Sequence, residues 1–205
     1  MADGGDQAFP AMWHSPVSPD MNEKNGLRMR PERTGKSAVE GTDKMSETNP
    51  KFLLVLVDDS EELHQALHYA SKRSASTHMR VALLYVVAPA EFAHWAGVGE
   101  LMRQEARELA EDKMREHAEY VQSVTGNPPL MYIREGKVVD EVISLVKEED
   151  DISVLVLGAD TNSDSAGPVI SYLAGRGISE CRVPVVIVPG NLTDEQIDDL
   201  MPGLD

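Results

Sequence analysis

The chain has 205 residues, with 35 Asp and Glu against 19 Lys and Arg, which gives a formal net charge of −16. Because DNA and RNA backbones repel such a charge, nucleic acid is excluded as an expected direct partner. The single cysteine, Cys181, excludes an intrachain disulfide and a thiolate metal site. No apolar run approaches the ~20 residues that cross a bilayer, and residues 1–50 contain no signal-peptide core. These features predict a cytoplasmic protein that does not bind membranes.

Residues 1–50 are predicted to form a disordered N-terminal extension. Glycines, prolines and charges of both signs are scattered through them, and the apolar residues follow neither the period of a strand nor that of a helix. Such a segment cannot bury enough apolar surface to offset the entropy of ordering it. The folded domain is therefore expected to span residues 51–190.

Five short apolar runs in this domain predict the strands of a sheet. Each run is almost continuously apolar rather than alternating, which is typical of a strand covered on both faces, as in a parallel sheet. The runs are Phe52–Val57, Val81–Val87, Leu130–Ile133, Ile152–Leu157 and Pro184–Val188.

Amphipathic helical patterns separate the runs. Asp59 and Glu62 have the spacing of a capping pair for the first helix, the second helix has an apolar stripe with Leu109 and Met114, and the fourth is predicted over Pro168–Ile178. Helices between strands of one sheet require crossover connections. We therefore predict an α/β fold, a Rossmann-like three-layer sandwich in which a five-stranded parallel sheet has helices on both faces.

The segment after the fifth strand, residues 191–205, is predicted to be an acidic C-terminal tail. Thr193 is placed to cap one short helical turn within it.

Three predicted strands end in residues that suit a ligand site. Asp58 follows Val57 at the end of the first strand, Val86 lies near the end of the second, and Gly158 follows the fourth. In an open parallel sheet, ligands bind at these carboxyl ends, where the strand order reverses. Gly158 also begins a loop that ends at Gly167, before the fourth helix, and glycines let backbone N–H groups approach an anion closely. This edge of the sheet is the predicted site.

The strand ends resemble those of the universal stress protein family over roughly residues 51–190. Val57–Glu61 is similar to the family's Val-Asp-Gly-Ser-Glu, and Leu83–Val87 to its Leu-Leu-His-Val-Ile. Val154–Gly158 is similar to the strand that enters the family's phosphate loop, and Arg182–Pro189 to its final Cys-Pro-Val-Leu-Val-Val-Pro strand. The resemblance implies the family's strand order, 3-2-1-4-5.

The resemblance also implies a ligand and an assembly: ATP or another adenine nucleotide with Mg²⁺, and a homodimer that pairs the last strands of two copies. The implied nucleotide-binding residues are Val57, Asp58, Val86, Gly158, Thr161, Gly167, Pro168 and Val169. The implied dimer residues are Val185, Val186, Ile187 and Val188. Protein partners are a further expectation, and no catalytic residue or protein metal site is predicted.

The glycine loop departs from the Gly-x2-Gly-x9-Gly-Ser/Thr pattern of ATP-binding family members. Thr161 stands where the second glycine is expected. Pro168 lacks both the N–H group and the hydroxyl with which Ser or Thr would meet a phosphate. Asp160 and Asp164 would repel a triphosphate unless a cation such as Mg²⁺ intervened.

Four of the implied site residues, and Asp59 beside them, also have a purely structural interpretation. Capping of the first helix could by itself explain Asp58 and Asp59, and close packing of strand against helix could by itself explain Gly158. Gly167-Pro168 could be a simple helix start. Three functions stay open. They are a non-enzymatic, dimeric stress-response protein that binds an adenine nucleotide, the same fold as a protein-interaction module without a nucleotide, and a weak ATPase. The last lacks a Walker lysine and a catalytic pair.

Overall fold

The computed structural model describes residues 19–22, 26–29, 50–88, 98–162 and 166–201, with only the backbone described for 19–22, 26–29 and 98–103. The strands are β1 (Pro19–Asn22), β2 (Gly26–Met29), β3 (Phe52–Val57), β4 (Arg80–Val87), β5 (Leu130–Glu135), β6 (Ile152–Ala159) and β7 (Val185–Pro189). The helices are α1 (Leu63–Ala75), α2 (Val98–Thr125), α3 (Val138–Glu148), α4 (Pro168–Ala174) and α5 (Asp194–Asp199), with a 3-10 helix at Arg176–Ser179.

The predicted parallel sheet is confirmed. Strands β3 to β7 all run parallel in the order β5-β4-β3-β6-β7, which is 3-2-1-4-5 when these five strands are counted along the chain. The chain winds outward from β3 to β5 and then crosses to β6 on the other side of β3. The order therefore reverses between β3 and β6, which is where an open parallel sheet forms a crevice.

The N-terminal extension contributes two strands, so the prediction of disorder is wrong for β1 and β2. They pair antiparallel with each other, and β2 pairs antiparallel with β5, with Leu27 opposite Ile133 and Met29 opposite Met131. The edge of β5 offers backbone N–H and C=O groups that an extended segment can satisfy. This partner lies far along the chain, so no local pattern in residues 1–50 indicates the pairing. Apart from Pro50, the other residues of the extension lie outside the described ranges.

The sheet separates two apolar layers, as the three-layer prediction requires. α1 and α2 cover one face, where Leu67 and Met114 belong to one buried cluster. α3 and α4 cover the other, where Val146 and Leu173 belong to a second. Successive strand residues alternate between the two clusters, which is why the strands read as continuous apolar runs.

Two predicted helix details are wrong. Leu109 does not belong to the buried stripe of α2, because its side chain is 59% exposed and Ala110 takes its place beside Met114. α4 ends at Ala174 rather than at Ile178, because Gly175 leaves helical geometry with φ −90° and ψ −129°. The part of the predicted helix that follows Gly175 belongs to the 3-10 helix at Arg176–Ser179.

The C-terminal segment packs on the domain instead of forming only a tail. Thr193 caps α5 as predicted, since its hydroxyl accepts a hydrogen bond from the backbone N–H of Gln196. Ile197 is fully buried against the α1 face of the sheet. His68 of α1, which the sequence does not mark as buried, contacts Asp198 of α5 at 2.8 Å and the Tyr120 hydroxyl of α2 at 2.6 Å.

Candidate functional site

The carboxyl ends of β3 and β6 lie side by side at the reversal of strand order. Val55 is paired with Val156, and both strands continue in parallel from this pair. Val57 and Asp58 at the end of β3 are therefore neighbours of Gly158 at the end of β6. α1 and α4, which follow these strands, pack on opposite faces of the sheet. The predicted meeting of positions 58 and 158 at one crevice agrees with this topology.

Asp58 has an exposed carboxylate at this edge. The backbone N–H and the hydroxyl of Ser60 donate hydrogen bonds to it, at 3.1 Å and 2.5 Å. These bonds form a turn of the kind in which a short acidic side chain bonds to the backbone two residues on. The turn holds Asp58 at the mouth of the crevice. Val57 beside it is buried, so its side chain faces the core and only its backbone is available to a ligand.

Asp59 does not cap α1, contrary to the capping-pair prediction. The residue that precedes the helix is Glu62, and no side-chain bond caps it. Asp59 instead accepts a hydrogen bond at 2.5 Å from the ammonium group of Lys113 on α2, which also lies 5.8 Å from the centre of the Tyr85 ring. The bond to Asp59 raises the pKa of Lys113. The pair joins α2 to the loop after β3.

Val86 lies on the neighbouring strand β4, one residue past the last pair between β4 and β3. The last pair between β3 and β4 is Val57 with Tyr85, whereas β4 stays paired with β5 as far as Val87. The carbonyl of Val87 accepts a hydrogen bond from Gly136 at 3.0 Å. β4 thus continues past the end of β3 and brings its last residues to the same edge as Asp58.

Gly158 is required by close packing. A Cβ atom added to it would lie 2.6 Å from the carbonyl oxygen of Glu62, closer than real Cβ atoms approach. Its backbone does not have a positive φ. The glycine is therefore needed for the contact between β6 and the start of α1, which is the structural interpretation that the sequence left open.

The loop that follows β6 is described in part. Thr161 is exposed, and the carboxylate of Asp160 accepts a hydrogen bond from the backbone N–H of Asn162 at 2.7 Å. Gly167 has φ +88° and ψ 162°, a conformation that favours glycine, and Pro168 is the first residue of α4. Val169 is buried in the cluster under α4, so its side chain does not face a ligand at this edge.

The two loops of the crevice are strongly acidic. Residues 58–62 and 158–168 contain six Asp and Glu and no Lys or Arg. Within the described residues, Lys113 is bound to one of these acids, and no group of three or more His, Cys, Asp or Glu is arranged to hold a metal ion. A bare phosphate would meet a negative potential here.

β7 is the terminal strand of the sheet on the side of β6. Val188 is buried, Val185 and Val186 are half-buried, and Ile187 is 47% exposed. A terminal strand with an exposed apolar residue offers a free backbone edge to another strand.

The sequence did not mark Glu62 and Lys113 as parts of this edge. The sequence indicates only a helix-capping role for Glu62, and its contact with Gly158 depends on how α1 packs against the sheet. Lys113 lies in a helix with many charges, and no spacing distinguishes it from its neighbours. Neither residue carries a local signal that could have found it.

A sequence profile of the universal stress protein family matches residues 51–189. The chain belongs to the universal stress protein family. The match ends at the last residue of β7, so it covers the parallel sheet of this universal stress protein and leaves β1, β2 and α5 outside. A comparison with curated proteins found no match.

Solved structures share the fold of this universal stress protein. UspA from Lactobacillus plantarum is 21% identical, with 67% of this chain and 97% of that chain covered and a TM-score of 0.53. The hypothetical protein MJ0577 is 20% identical, with 70% and 98% covered and a TM-score of 0.58. A universal stress protein from Archaeoglobus fulgidus, solved in complex with dAMP, is 15% identical, with 68% and 97% covered and a TM-score of 0.50. At these identities the likeness establishes the fold alone.

Across the described part of this universal stress protein, no helix combines the length and the apolar character needed to cross a membrane.

Proposed function

We propose that this universal stress protein is a non-enzymatic, cytoplasmic stress-response protein that binds an adenine nucleotide in the crevice between β3 and β6. The observation that carries the proposal is the parallel pairing of β3 and β6, whose carboxyl ends carry Asp58 and Gly158, at the point where the strand order reverses. In an open parallel sheet this is the position at which nucleotides bind. The lone cysteine fits a reducing compartment.

The residues at the edge suit different parts of such a ligand. The end of β4 at Val86 offers backbone groups to the edge of an adenine base, and the exposed carboxylate of Asp58 offers an acceptor to ribose hydroxyls. Phosphates would extend toward Gly158 and the loop that ends at Gly167. The Archaeoglobus fulgidus protein in complex with dAMP supports an adenine ligand for this fold.

The negative potential of the two loops determines how phosphates could be held. With no Lys or Arg in residues 58–62 and 158–168, a triphosphate would need Mg²⁺ to screen its charge. The phosphates would then supply most of the ligands of the ion. Among the described residues of this edge, no side-chain pair has the arrangement of a nucleophile and a base, and the proposal contains no catalytic step.

A homodimer is the second part of the proposal. β7 is the open end of the parallel sheet, and Ile187 presents apolar surface beside its free backbone edge. Two copies that pair their β7 strands would satisfy both edges with one symmetric contact.

A protein-interaction module without a nucleotide is the alternative that a specific observation favours. Gly158 is fully explained by its contact with Glu62, and Thr161 replaces the second glycine of the nucleotide loop. In this alternative the acidic surface and the N-terminal extension would recognise other proteins.

Small-molecule mass spectrometry separates these two functions. Freshly purified protein would be denatured, and the released compounds measured against the protein concentration. The proposal predicts an adenine nucleotide in stoichiometric amount, or, if none is retained, a melting temperature that rises with the logarithm of millimolar AMP or of ATP with Mg²⁺. No released nucleotide and no shift with either ligand would leave the interaction module.

A further inference from the structure

Glu62 covers the carboxyl ends of β6 and β7. A Cβ atom added to Gly158 would lie 2.6 Å from the Glu62 carbonyl oxygen and 3.0 Å from its Cγ, and one added to Gly190 would lie 2.7 Å from the Glu62 Cβ. The backbone N–H of Gly190 donates a hydrogen bond to the carbonyl of Ala159 at 2.8 Å, which holds the ends of β6 and β7 side by side. The backbone and the side chain of Glu62 both pack against these two strand ends.

The charge of Glu62 has no partner among the described residues. Its side chain is half-buried, and no described Lys, Arg or His forms an ion pair with it. Lys113, the cation bound to this loop, contacts Asp59 instead. An uncompensated carboxylate that is partly withdrawn from water acts more strongly on a nearby charge than one on the open surface.

The covered position is the one that phosphates would need. Gly158 is the first residue of the glycine loop and the place where a nucleotide phosphate could approach the backbone most closely. In this chain the carbonyl oxygen and the Cγ of Glu62 already lie against it. A phosphate at Gly158 would have to displace Glu62 or lie beside a like charge.

We propose that Glu62 is a specificity-determining residue that disfavours phosphates in the crevice, so that the site selects adenosine or AMP over ATP. The inference rests on the proposed adenine site and names the class of ligand that this site takes. The neutral adenosine part is unaffected, because it would lie toward Asp58 and Val86. Each added phosphate brings more negative charge toward Glu62.

Isothermal titration of three full-length proteins with three ligands tests this inference. The proteins are the wild type, Glu62→Gln and Glu61→Gln, and the ligands are adenosine, AMP and ATP in buffer without divalent cations. Glu61 is the matched control, because it is an exposed acid in the same loop and does not cover either glycine. The wild type is expected to bind adenosine or AMP more tightly than ATP. In Glu62→Gln the dissociation constant for ATP should fall about tenfold relative to that for adenosine. In Glu61→Gln the two constants should keep their ratio.

Three results would overturn the inference while leaving the adenine site in place. They are tighter binding of ATP than of adenosine by the wild type, an unchanged ratio in Glu62→Gln, and an equal change of the ratio in both variants. If neither adenosine nor a nucleotide binds to the wild type or to Glu62→Gln, the proposed function itself is wrong, and the role of Glu62 fails with it.

Discussion

Gly158 is the residue that packing and ligand binding both require to have no side chain. A Cβ atom there meets the backbone carbonyl of Glu62, which cannot move without shifting the start of α1. The same lack of a side chain is what a phosphate would require. The contact with Glu62 means that a substitution at Gly158 tests stability before it tests binding.

Gly158→Ala is therefore expected to lower the free energy of unfolding by about 1–3 kcal/mol, the cost of overpacking a close contact. Urea unfolding measures this value. Gly126→Ala is the comparison, since Gly126 has φ +71° but nothing within 4 Å of an added Cβ, so that only backbone strain of about 1 kcal/mol is expected. A Gly158→Ala protein as stable as the wild type would mean that Glu62 does not pack on this glycine.

The sequence predicts some residue contacts at the crevice and not others. The ends of parallel strands meet at one edge, and the strand order implied by the family resemblance places the first strand beside the fourth, so the meeting of Asp58 and Gly158 could be predicted. The contact of Glu62 with Gly158 and Gly190 depends on the seating of α1, and the bond between Asp59 and Lys113 joins elements far apart in the chain. Neither contact produces a spacing of residues that can be recognised in the sequence.

At the scale of elements, α5 extends the domain beyond the family match. It packs on α1, with Ile197 fully buried, a hydrogen-bond contact between His64 and Asp194 at 2.9 Å and an ion pair between Lys72 and Asp198 at 2.8 Å. The exposed pairs contribute little on their own, so the buried side chain is expected to provide most of the attachment.

Ile197→Ala is expected to lower the free energy of unfolding by about 2–4 kcal/mol, because it removes buried methyl groups and leaves a cavity. Leu200→Ala, one residue after the same helix, should change it by less than about 0.5 kcal/mol, since this side chain is 60% exposed. Chemical denaturation of both variants checks the prediction. An equal loss of unfolding free energy in the two variants would contradict the packing of α5 on the domain.

Tyr120 makes the same contact region sensitive to high pH. Burial, and then the charges of Asp194 and Asp198, raise the pKa of its hydroxyl from 10.0 to about 12. The folded state holds this proton more tightly than the unfolded state, so the stabilisation is complete below pH 10 and is lost as the pH rises toward 12. The free energy of unfolding should fall more steeply between pH 9 and pH 11.5 in the wild type than in Tyr120→Phe. Parallel curves would show that Tyr120 does not titrate in this way.

The elements differ in how far the sequence could predict them. The apolar runs of β3 to β7 are local and continuous, so the sequence predicts the bounds of each strand to within two residues. The sequence does not predict β1 and β2, because their partner is the edge of β5, and it does not predict the packing of α5, because Ile197 is the one buried residue of that helix. The predicted stripe of α2 is off by one position at Leu109, since Ala110 is a weak apolar signal beside a leucine.

For the whole molecule, the open edge of β7 is the surface on which assembly depends. Ile187→Asp places a charge on this edge and is expected to give a monomer in light scattering. Leu109→Asp is the matched control, because Leu109 is equally apolar and 59% exposed but lies on α2. The wild type and Leu109→Asp should both be dimers, and a wild-type monomer, or a dimer that survives Ile187→Asp, would contradict assembly through β7.

The central claim is that an adenine ligand binds between β3 and β6. The most direct test is a titration of isotopically labelled protein with AMP, followed by backbone amide resonances. The claim predicts saturable shifts that are largest at Val57, Asp58, Val86 and Gly158 and small in α5. No shift at millimolar AMP, or shifts centred on another surface, would contradict it.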